Sequence, residues 1–189
     1  QGADFLAASF GATKALLSFW LHNNFQLARI GFNKDKASGE HSALVLKGLS
    51  QPGTKALEDI NTEFYRCFDY LLSDEYQELN TELVMLILQL CPQTLLPLLS
   101  ERDNANVSAF AKGHRQYSSC VFSLHLWLKH QLVNSAIVDS HTSKVFISRI
   151  MQKHSISNVC RDNEFTGKKS LEQYLKKAVS AHLVAKLTK

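Results

Sequence analysis

The stretch DFLAASFGATKALLSFWLHNNFQLARIGFNKDKASGEHSALVLKGLS, residues 4–50, decides the fold that the sequence predicts. Residues 5–10 indicate a short buried strand, and the apolar residues of 14–23 indicate a helix buried over much of its surface. Thr13 is the predicted N-cap of that helix. Two further strands are predicted at residues 25–32 and 41–49, joined by a polar segment rich in turn residues. The predicted order is therefore strand, helix, strand, strand.

The sequence changes character after Ser50. Gln51-Pro52-Gly53 predicts a break in secondary structure and a domain boundary, which divides the chain into residues 1–50 and 51–189. Beyond the break, apolar residues recur every three or four positions, as is typical of helices. One helix is predicted at 54–72, and Ser73-Asp74-Glu75 is the predicted cap of the next helix, whose apolar stretch is 83–90. Further helices are predicted at 102–111, 114–132, 143–154 and from Lys168 onward. The fold class is α+β: a small partial sheet with one helix, followed by an all-helical tail.

Composition limits the class of protein. The chain has 189 residues, of which 45% are hydrophobic and 20% charged, and this balance favours a globular rather than a disordered chain. The longest apolar run is interrupted at Gln89 and Pro92, short of the roughly 18 residues that a membrane span needs. With no secretory signal at its start and no CxxC spacing among four cysteines, the chain is expected to be cytoplasmic with reduced thiols.

Positive charge is concentrated near the C-terminal end. Residues 111–189 hold thirteen basic and four acidic residues, a net charge of +9, whereas residues 61–110 have a net charge of −6. This asymmetry favours a polyanionic partner such as nucleic acid, although a solvated basic helical surface without a partner would give the same counts. The candidate phosphate-binding residues are Lys112, Arg115, Lys144, Arg149, Lys153, Lys168, Lys169, Lys176 and Lys177.

No catalytic signature is present in the sequence. A P-loop, GxSxG and HExxH are missing, and no cysteine-histidine set has zinc-ligand spacing, so no metal and no catalytic residue is assigned. Trp127 is interpreted as a core residue rather than a base-stacking platform. Because aromatic residues do not alternate with the basic ones, nucleic-acid recognition here is expected to depend on shape and backbone.

The first 48 residues resemble a known family. The pattern SFGAT…FW…F…R.G…SGE is similar to one in the bacterial tRNA(Met) cytidine acetyltransferases, at the end of their GNAT acetyltransferase domain. The matching residues are Ser9, Phe10, Gly11, Thr13, Leu16, Phe19, Trp20, Phe25, Arg29, Gly31, Ala37, Ser38 and Gly39. A weaker match, FTGKKSLEQYLKKAV at residues 165–179, is similar to the end of the family's helical tRNA-binding tail.

The resemblance implies a function. Family members use acetyl-CoA to acetylate N4 of the wobble cytidine of elongator tRNA-Met, and a helicase-like module of the same protein hydrolyses ATP. The chain would then be the C-terminal part of such an acyltransferase, with a partial GNAT sheet, a tail that docks tRNA and no activity in isolation. The free edge of a truncated sheet also offers a place for a second copy of the chain, which predicts a homodimer.

Two positions depart from the family pattern. Where the family has Glu and Arg, both implied in acetyl-CoA binding, this chain has Ala15 and His22. Ala15 cannot accept a hydrogen bond through its side chain, whereas His22 could still donate one. Many GNAT enzymes carry a tyrosine general acid where Trp20 stands, and an indole cannot take that role.

Two other functions stay open at this point. The chain could be a non-catalytic helical module, binding RNA or protein, fused to a GNAT remnant that has lost its cofactor. It could also be part of an unrelated GNAT enzyme that acetylates proteins or small amines. Sequence alone does not separate these from the tRNA-modifying enzyme.

Overall fold

The computed structural model describes residues 2–135, 137 and 139–187, which form two compact units that divide between Leu83 and Val84. The first unit contains β1 (Phe5–Gly11), α1 (Lys14–His22), β2 (Gln26–Lys34), β3 (His41–Gly48) and α2 (Gln51–Leu71). The strand, helix, strand, strand order and the α+β class are therefore confirmed. The predicted division at residue 50 concerns where one domain family ends, whereas the two units are defined by packing. The boundary at residue 50 therefore stays a prediction.

The three strands form one antiparallel sheet in the order β1-β3-β2. Ala8 of β1 and Leu27 of β2 both lie opposite Val45 of β3, so the last strand in sequence is the central one. The connection between β2 and β3 is fixed by Asp35, whose carboxylate accepts hydrogen bonds from the backbone N–H groups of Ala37 and Ser38 at 3.0 and 2.9 Å. These hydrogen bonds, that of Ser38 above all, lower the pKa of Asp35.

Helix α1 begins and ends as its sequence predicts. The Thr13 hydroxyl accepts a hydrogen bond from the N–H of Leu16 at 3.3 Å, which is the geometry of an N-cap. After the helix, Asn24 has a φ of +63°, a left-handed conformation that asparagine tolerates better than most residues. The helix thus connects β1 to β2 across the strand that separates them.

The predicted burial of β1 and α1 is wrong. Leu6, Ala7 and Ser9 of β1 are exposed, and Leu17 is the residue of α1 that is fully buried. Leu16 and Phe19 keep 44% and 57% of their surface exposed. The reason is topological: β1 lies at one edge of the sheet, so it has a packed neighbour on one side only among the described residues. Whether this edge pairs with a second copy stays a prediction.

The other edge of the sheet is covered by side chains. Asn61 donates to the backbone oxygen of Leu27 at 2.9 Å, and the Tyr76 hydroxyl donates to that of Ile30 at 2.9 Å. Burial raises the pKa of Tyr76 to about 12, which keeps this hydroxyl protonated as a donor. Two acceptors of β2 are thereby used within the unit.

Residues 51–53 form the first turn of α2 rather than a break. Ser50 caps the helix by accepting a hydrogen bond from the N–H of Gly53 at 3.0 Å, and its hydroxyl donates to the Asp4 carboxylate. Pro52 stands in the first turn, where its missing N–H removes no helical hydrogen bond. A side chain on Gly53 would overlap the backbone oxygen of Asp4. The start of β1 is thus held directly against the start of α2.

The second unit is entirely helical in its described residues. It contains the end of α3 (Thr81–Gln89), a 3₁₀ turn (Gln93–Leu95) and five further helices: α4 (Glu101–Ala111), α5 (Tyr117–Val133), α6 (Ser140–Phe146), α7 (Ile156–Asp162) and α8 (Lys168–Leu187). Trp127 is 2% exposed, so its interpretation as a core residue is confirmed. No helix in the described ranges is long and apolar enough to cross a membrane.

Three helix predictions in this region need correction. Ser73-Asp74-Glu75 lies in a turn, and α3 begins only at Thr81. The helix predicted at 114–132 begins at Tyr117, because Gly113, with a φ of +78°, ends α4 in a left-handed conformation. The predicted 143–154 helix is α6 followed by a π-helical turn, Ile147–Met151, and α7 was not predicted.

We expect Gly53→Ala to destabilise the first unit by about 1–3 kcal/mol, because the added methyl group must displace the backbone of Asp4. Urea unfolding followed by circular dichroism measures the effect. Gly2→Ala is the matched control, since a side chain there meets no atom within 4 Å. Equal stability of the two variants would contradict the close contact between β1 and α2.

Candidate cofactor helix and nucleic-acid interface

The two predicted cofactor positions lie on the exposed side of α1. Ala15 and His22 are seven residues apart, which places them near the same face of the helix, and both are exposed. The His22 Nδ1 donates to the backbone oxygen of Ser18 at 2.6 Å, so the ring is fixed with its Nε2 edge away from that carbonyl. Of the two positions, His22 alone offers a polar side-chain atom to a ligand.

An aromatic group lies beside this face. The Trp20 ring contacts Phe10, Phe19 and Phe25 with ring centroids 6.0, 5.4 and 4.8 Å apart. Phe10 is on β1 and Phe25 directly precedes β2, so Trp20 packs α1 onto both outer strands. Its role is to position the helix, which agrees with the exclusion of Trp20 as a proton donor.

His41 at the start of β3 has an unusual environment. The residue is 4% exposed, and its Nδ1 donates to the backbone oxygen of Gly31 at 2.8 Å. Its Nε2 is buried and has no hydrogen-bond partner among the described residues. The backbone oxygen of His41 accepts from the N–H of Ala12 at 2.6 Å, which places the residue beside the start of α1. Sequence analysis missed His41, because a single histidine in a strand carries no signal.

An apolar groove of about 370 Å³ lies between β2 and α2. Its lining includes the apolar and aromatic residues Phe32, Ile60, Phe64 and Tyr76 and the charged residues Arg29 and Glu63. Neither Ala15 nor His22 lines this groove, so it is separate from the predicted cofactor positions.

The predicted basic residues are surface residues of the second unit. Two of them are half-buried, Arg149 and Lys176, and the rest are exposed: Lys112, Arg115, Lys144, Lys153, Lys168, Lys169 and Lys177. Lys168 pairs weakly with Glu172 at 3.9 Å across one turn of α8. The described contacts do not join Lys168 and Lys169 to the other basic residues.

Aromatic rings bring two of the basic residues together. The Arg149 guanidinium lies 4.6 Å from the ring centroid of Tyr117, and the Lys176 ammonium lies 5.8 Å from that of Phe110. The Phe110 and Tyr117 rings are themselves 6.2 Å apart. Arg149 also donates to the backbone oxygen of His154 at 3.0 Å, and the Tyr117 hydroxyl donates to that of Arg149 at 3.0 Å. Arg149 and Lys176, which are 27 positions apart in sequence, are therefore brought near each other by these two rings.

A second basic group surrounds Asp162. Arg161 pairs with its carboxylate at 2.9 Å, and this contact is the main reason that the pKa of Asp162 is lowered. Lys144 and His154 lower the same pKa further through their charge. The position of Arg161 and Lys144 around one carboxylate is a tertiary feature that helical spacing does not show.

Comparison with known proteins supports the sequence resemblance. A family model described as GNAT acetyltransferase 2 matches residues 1–50. The tRNA(Met) cytidine acetyltransferase TmcA of Vibrio cholerae is 32% identical over 186 residues, which are 96% of this chain and 24% of that protein. The enzyme of the same name from Nitrosococcus halophilus is 30% identical over 183 residues, 95% of this chain and 24% of that protein.

The similarity extends to archaea. The tRNA(Met) cytidine acetyltransferase TmcA of Thermococcus kodakarensis is 27% identical over 167 residues, 82% of this chain and 20% of that protein. The chain thus spans about a quarter of the length of the bacterial relatives that it matches. The predicted resemblance is confirmed over almost the whole chain. The chain is therefore a relative of the tRNA(Met) cytidine acetyltransferases.

Proposed function

We propose that this chain is the C-terminal part of an acetyl-CoA-dependent enzyme that acetylates N4 of the wobble cytidine of elongator tRNA-Met. The observation that carries the proposal is one chain that joins a GNAT-matched sheet and helix to a helical unit rich in positive charge, with similarity to tRNA(Met) cytidine acetyltransferases along 96% of its residues. Cytoplasmic location, and ATP use by another module of the full-length protein, belong to the same proposal.

The residues of the first unit fit acetyl-CoA in part. Acetyl-CoA would supply the activated acetyl thioester. On this chain, β1 leaves one edge unpaired among the described residues, so its backbone amides can bond to the amides of an extended ligand. His22 at the end of α1 offers its exposed Nε2 as a polar side-chain atom, while Ala15 offers none. Residues 9–25 are therefore proposed to complete a cofactor site whose remaining contacts come from elsewhere in the full-length enzyme.

His41 is proposed to receive the proton that leaves the cytidine N4. That amine is a weak nucleophile because its lone pair is delocalised into the ring, so positioning and electrostatics dominate the reaction. Formation of the bond between N4 and the acetyl carbon would break the thioester C–S bond and release coenzyme A as a thiolate, and N4 would lose one proton. An imidazole Nε2 with no other partner among the described residues can accept that proton. Since Nε2 is covered in the described structure, this role requires the covering groups to move when RNA binds.

The helical unit is proposed to dock tRNA through its phosphates. The rings nearest to its cations, Phe110 and Tyr117, are 0% and 8% exposed and so are closed to base stacking. Contacts would then come from charged side chains, and the binding affinity that they supply falls as the salt concentration rises. Such docking leaves the target base free to leave its stack and reach the acetyltransferase site.

A second candidate function rests on Ala15. Without a side-chain acceptor or donor at this position, α1 would lose a contact that family members are expected to make. The chain would then serve a non-catalytic protein that binds RNA or protein through its helical unit. Acetyl-CoA binding separates this candidate from the enzyme.

The full-length protein that contains this chain is expected to acetylate tRNA-Met in the presence of acetyl-CoA and ATP. Mass spectrometry of nucleosides from the treated tRNA measures N4-acetylcytidine directly. A peptide carrying free amines is the comparison substrate. Acetylation of the peptide and not of the tRNA would contradict the proposal and favour a GNAT enzyme that acts on amines.

His22→Arg should tighten acetyl-CoA binding by the full-length protein by roughly tenfold, because a permanently charged donor replaces an imidazole at an exposed position. Isothermal titration calorimetry measures the dissociation constant. Gln26→Arg adds the same charge on β2 and should leave it unchanged. The absence of saturable binding in the parent protein would instead support the non-catalytic alternative.

His41→Asn should lower kcat by roughly 10²- to 10⁴-fold with little change in KM, because asparagine keeps a donor for the Gly31 oxygen but has no basic nitrogen. The kinetics are measured on the full-length enzyme, together with the pH dependence of kcat. A purely structural role would give an unchanged pH profile and a loss that follows the loss of folded protein, which circular dichroism monitors.

A further inference from the structure

The turn between α4 and α5 presents a basic side chain on a fixed support. Gly113 reverses the chain after α4, and Lys112, His114 and Arg115 are exposed around it. Unlike its two basic neighbours, Arg115 is held by a side-chain hydrogen bond in the described structure: its Nη1 donates to the Asn106 side-chain oxygen at 2.9 Å. The guanidinium therefore has a defined position instead of the mobility usual for a surface arginine.

This hydrogen bond is the first step of a directional relay. The Asn106 amide donates to the Ser123 hydroxyl at 3.0 Å, and that hydroxyl donates to the Asp103 carboxylate at 2.8 Å. Ser123 is 3% exposed, so the middle of the relay is shielded from water. Hydrogen bonds from the hydroxyls of Ser100 and Ser123 lower the pKa of Asp103 and keep the last acceptor charged. Donors that all point toward one carboxylate polarise each other.

Arg115, the first donor of the relay, is close in sequence to the two aromatic residues that hold two further cations. Arg115 is two residues before Tyr117, whose ring supports Arg149 and contacts Phe110, which in turn supports Lys176. The Arg149 guanidinium is 4.6 Å from the Tyr117 ring, the two rings are 6.2 Å apart, and the Lys176 ammonium is 5.8 Å from the Phe110 ring. These three distances placed end to end set the largest separation that the Arg149 and Lys176 charges can have. Three cations of this unit are thus each held by a contact with another side chain.

We propose that the α4–α5 turn is a preorganised phosphate-binding surface for folded RNA, in which Arg115 contacts the backbone and Asn106 is its positioning residue. The inference rests on the proposed tRNA docking and names the surface that carries it. A planar guanidinium with one edge fixed by Asn106 leaves its remaining N–H groups in a set direction, which suits bidentate binding of a phosphate. Fixing the side chain beforehand reduces the entropy lost when RNA binds.

The buried rings make phosphate the favoured chemistry over base edges or base faces. A stacking platform needs an open aromatic face, and here the faces of Phe110 and Tyr117 are covered by cations and packing. An array of fixed charges without stacking reads the shape of a folded backbone. Folded tRNA should accordingly bind more tightly than an unstructured oligonucleotide of equal length.

The test measures binding of tRNA-Met to the full-length protein by filter retention at several salt concentrations. Arg115→Gln should weaken binding roughly tenfold at low salt and reduce the salt slope by about one, because one phosphate contact is lost. Asn106→Ala should weaken binding less, with the slope unchanged, since no charge is removed. The double variant should bind no more weakly than Arg115→Gln, because both changes act through the same guanidinium. Arg102→Gln changes an exposed arginine on α4, the helix that carries Asn106; it is the matched control and should bind like the parent.

The outcomes separate this inference from the proposed function. Failure of the parent protein to bind tRNA at low salt would overturn the docking proposal itself. Binding by the parent, with Arg115→Gln no weaker than Arg102→Gln, would overturn the assignment of this surface alone. If the losses of binding free energy in the two single variants add fully in the double variant, Asn106 does not act through Arg115. Tighter binding of the unstructured oligonucleotide than of tRNA would exclude recognition of folded RNA. Thermal unfolding of each variant shows that the relay change has not unfolded the helical unit.

Discussion

The pairing of β3 with both of its neighbours holds the first unit together. β1 and β2 do not touch, so each is fixed in the sheet by hydrogen bonds to β3, which is synthesised after both. Helix α1 must cross over β3 to connect the outer strands, and Trp20 packs it there against Phe10 and Phe25. The positions of Ala15 and His22 follow from this crossing. The Ser50 hydroxyl, which bonds to the Asp4 carboxylate and to the N–H of Gly53, then fixes the start of α2 shortly after β3 ends.

The same topology explains what the first unit leaves exposed. A central third strand gives the sheet two edges, and in the part of the chain that the structure describes, the side chains of Asn61 and Tyr76 cover one of them. Among the described residues, β1 has no strand partner on its other edge. An unpaired edge next to an exposed helix face is a suitable surface for an extended ligand with amide groups, which is how the proposed cofactor contact arises from the strand order.

Local signals were predictable from the sequence, whereas long-range pairing was not. Thr13 before an apolar run gave the start of α1, because capping depends on neighbouring residues. The exposure of β1 could not be predicted, since Phe5–Phe10 is too apolar to show that one edge stays free. Pro52 illustrates an ambiguity: proline signals a break, but it is equally favoured in the first turn of a helix.

The candidate site shows the same limit. Lysines and arginines were identified from composition and helical spacing, but not the supports that fix three of them. Asp103 and Ser123 are 20 residues apart, and the ring of Tyr117 meets Arg149 across 32 residues. His41 was missed because its distinction is a buried nitrogen without a partner, which exists only in the folded chain. Charge counting therefore indicates a class of partner, while only the tertiary contacts separate fixed cations from mobile ones.

The covered aromatic rings are consistent with a protein that modifies a base. A docking unit that stacked on bases would compete with the acetyltransferase site for the nucleotide that must leave its stack. By using Phe110 and Tyr117 as supports beneath cations, the helical unit can bind backbone and leave every base available. Because the proposed docking depends on charge, the affinity for RNA should fall steeply as the salt concentration rises.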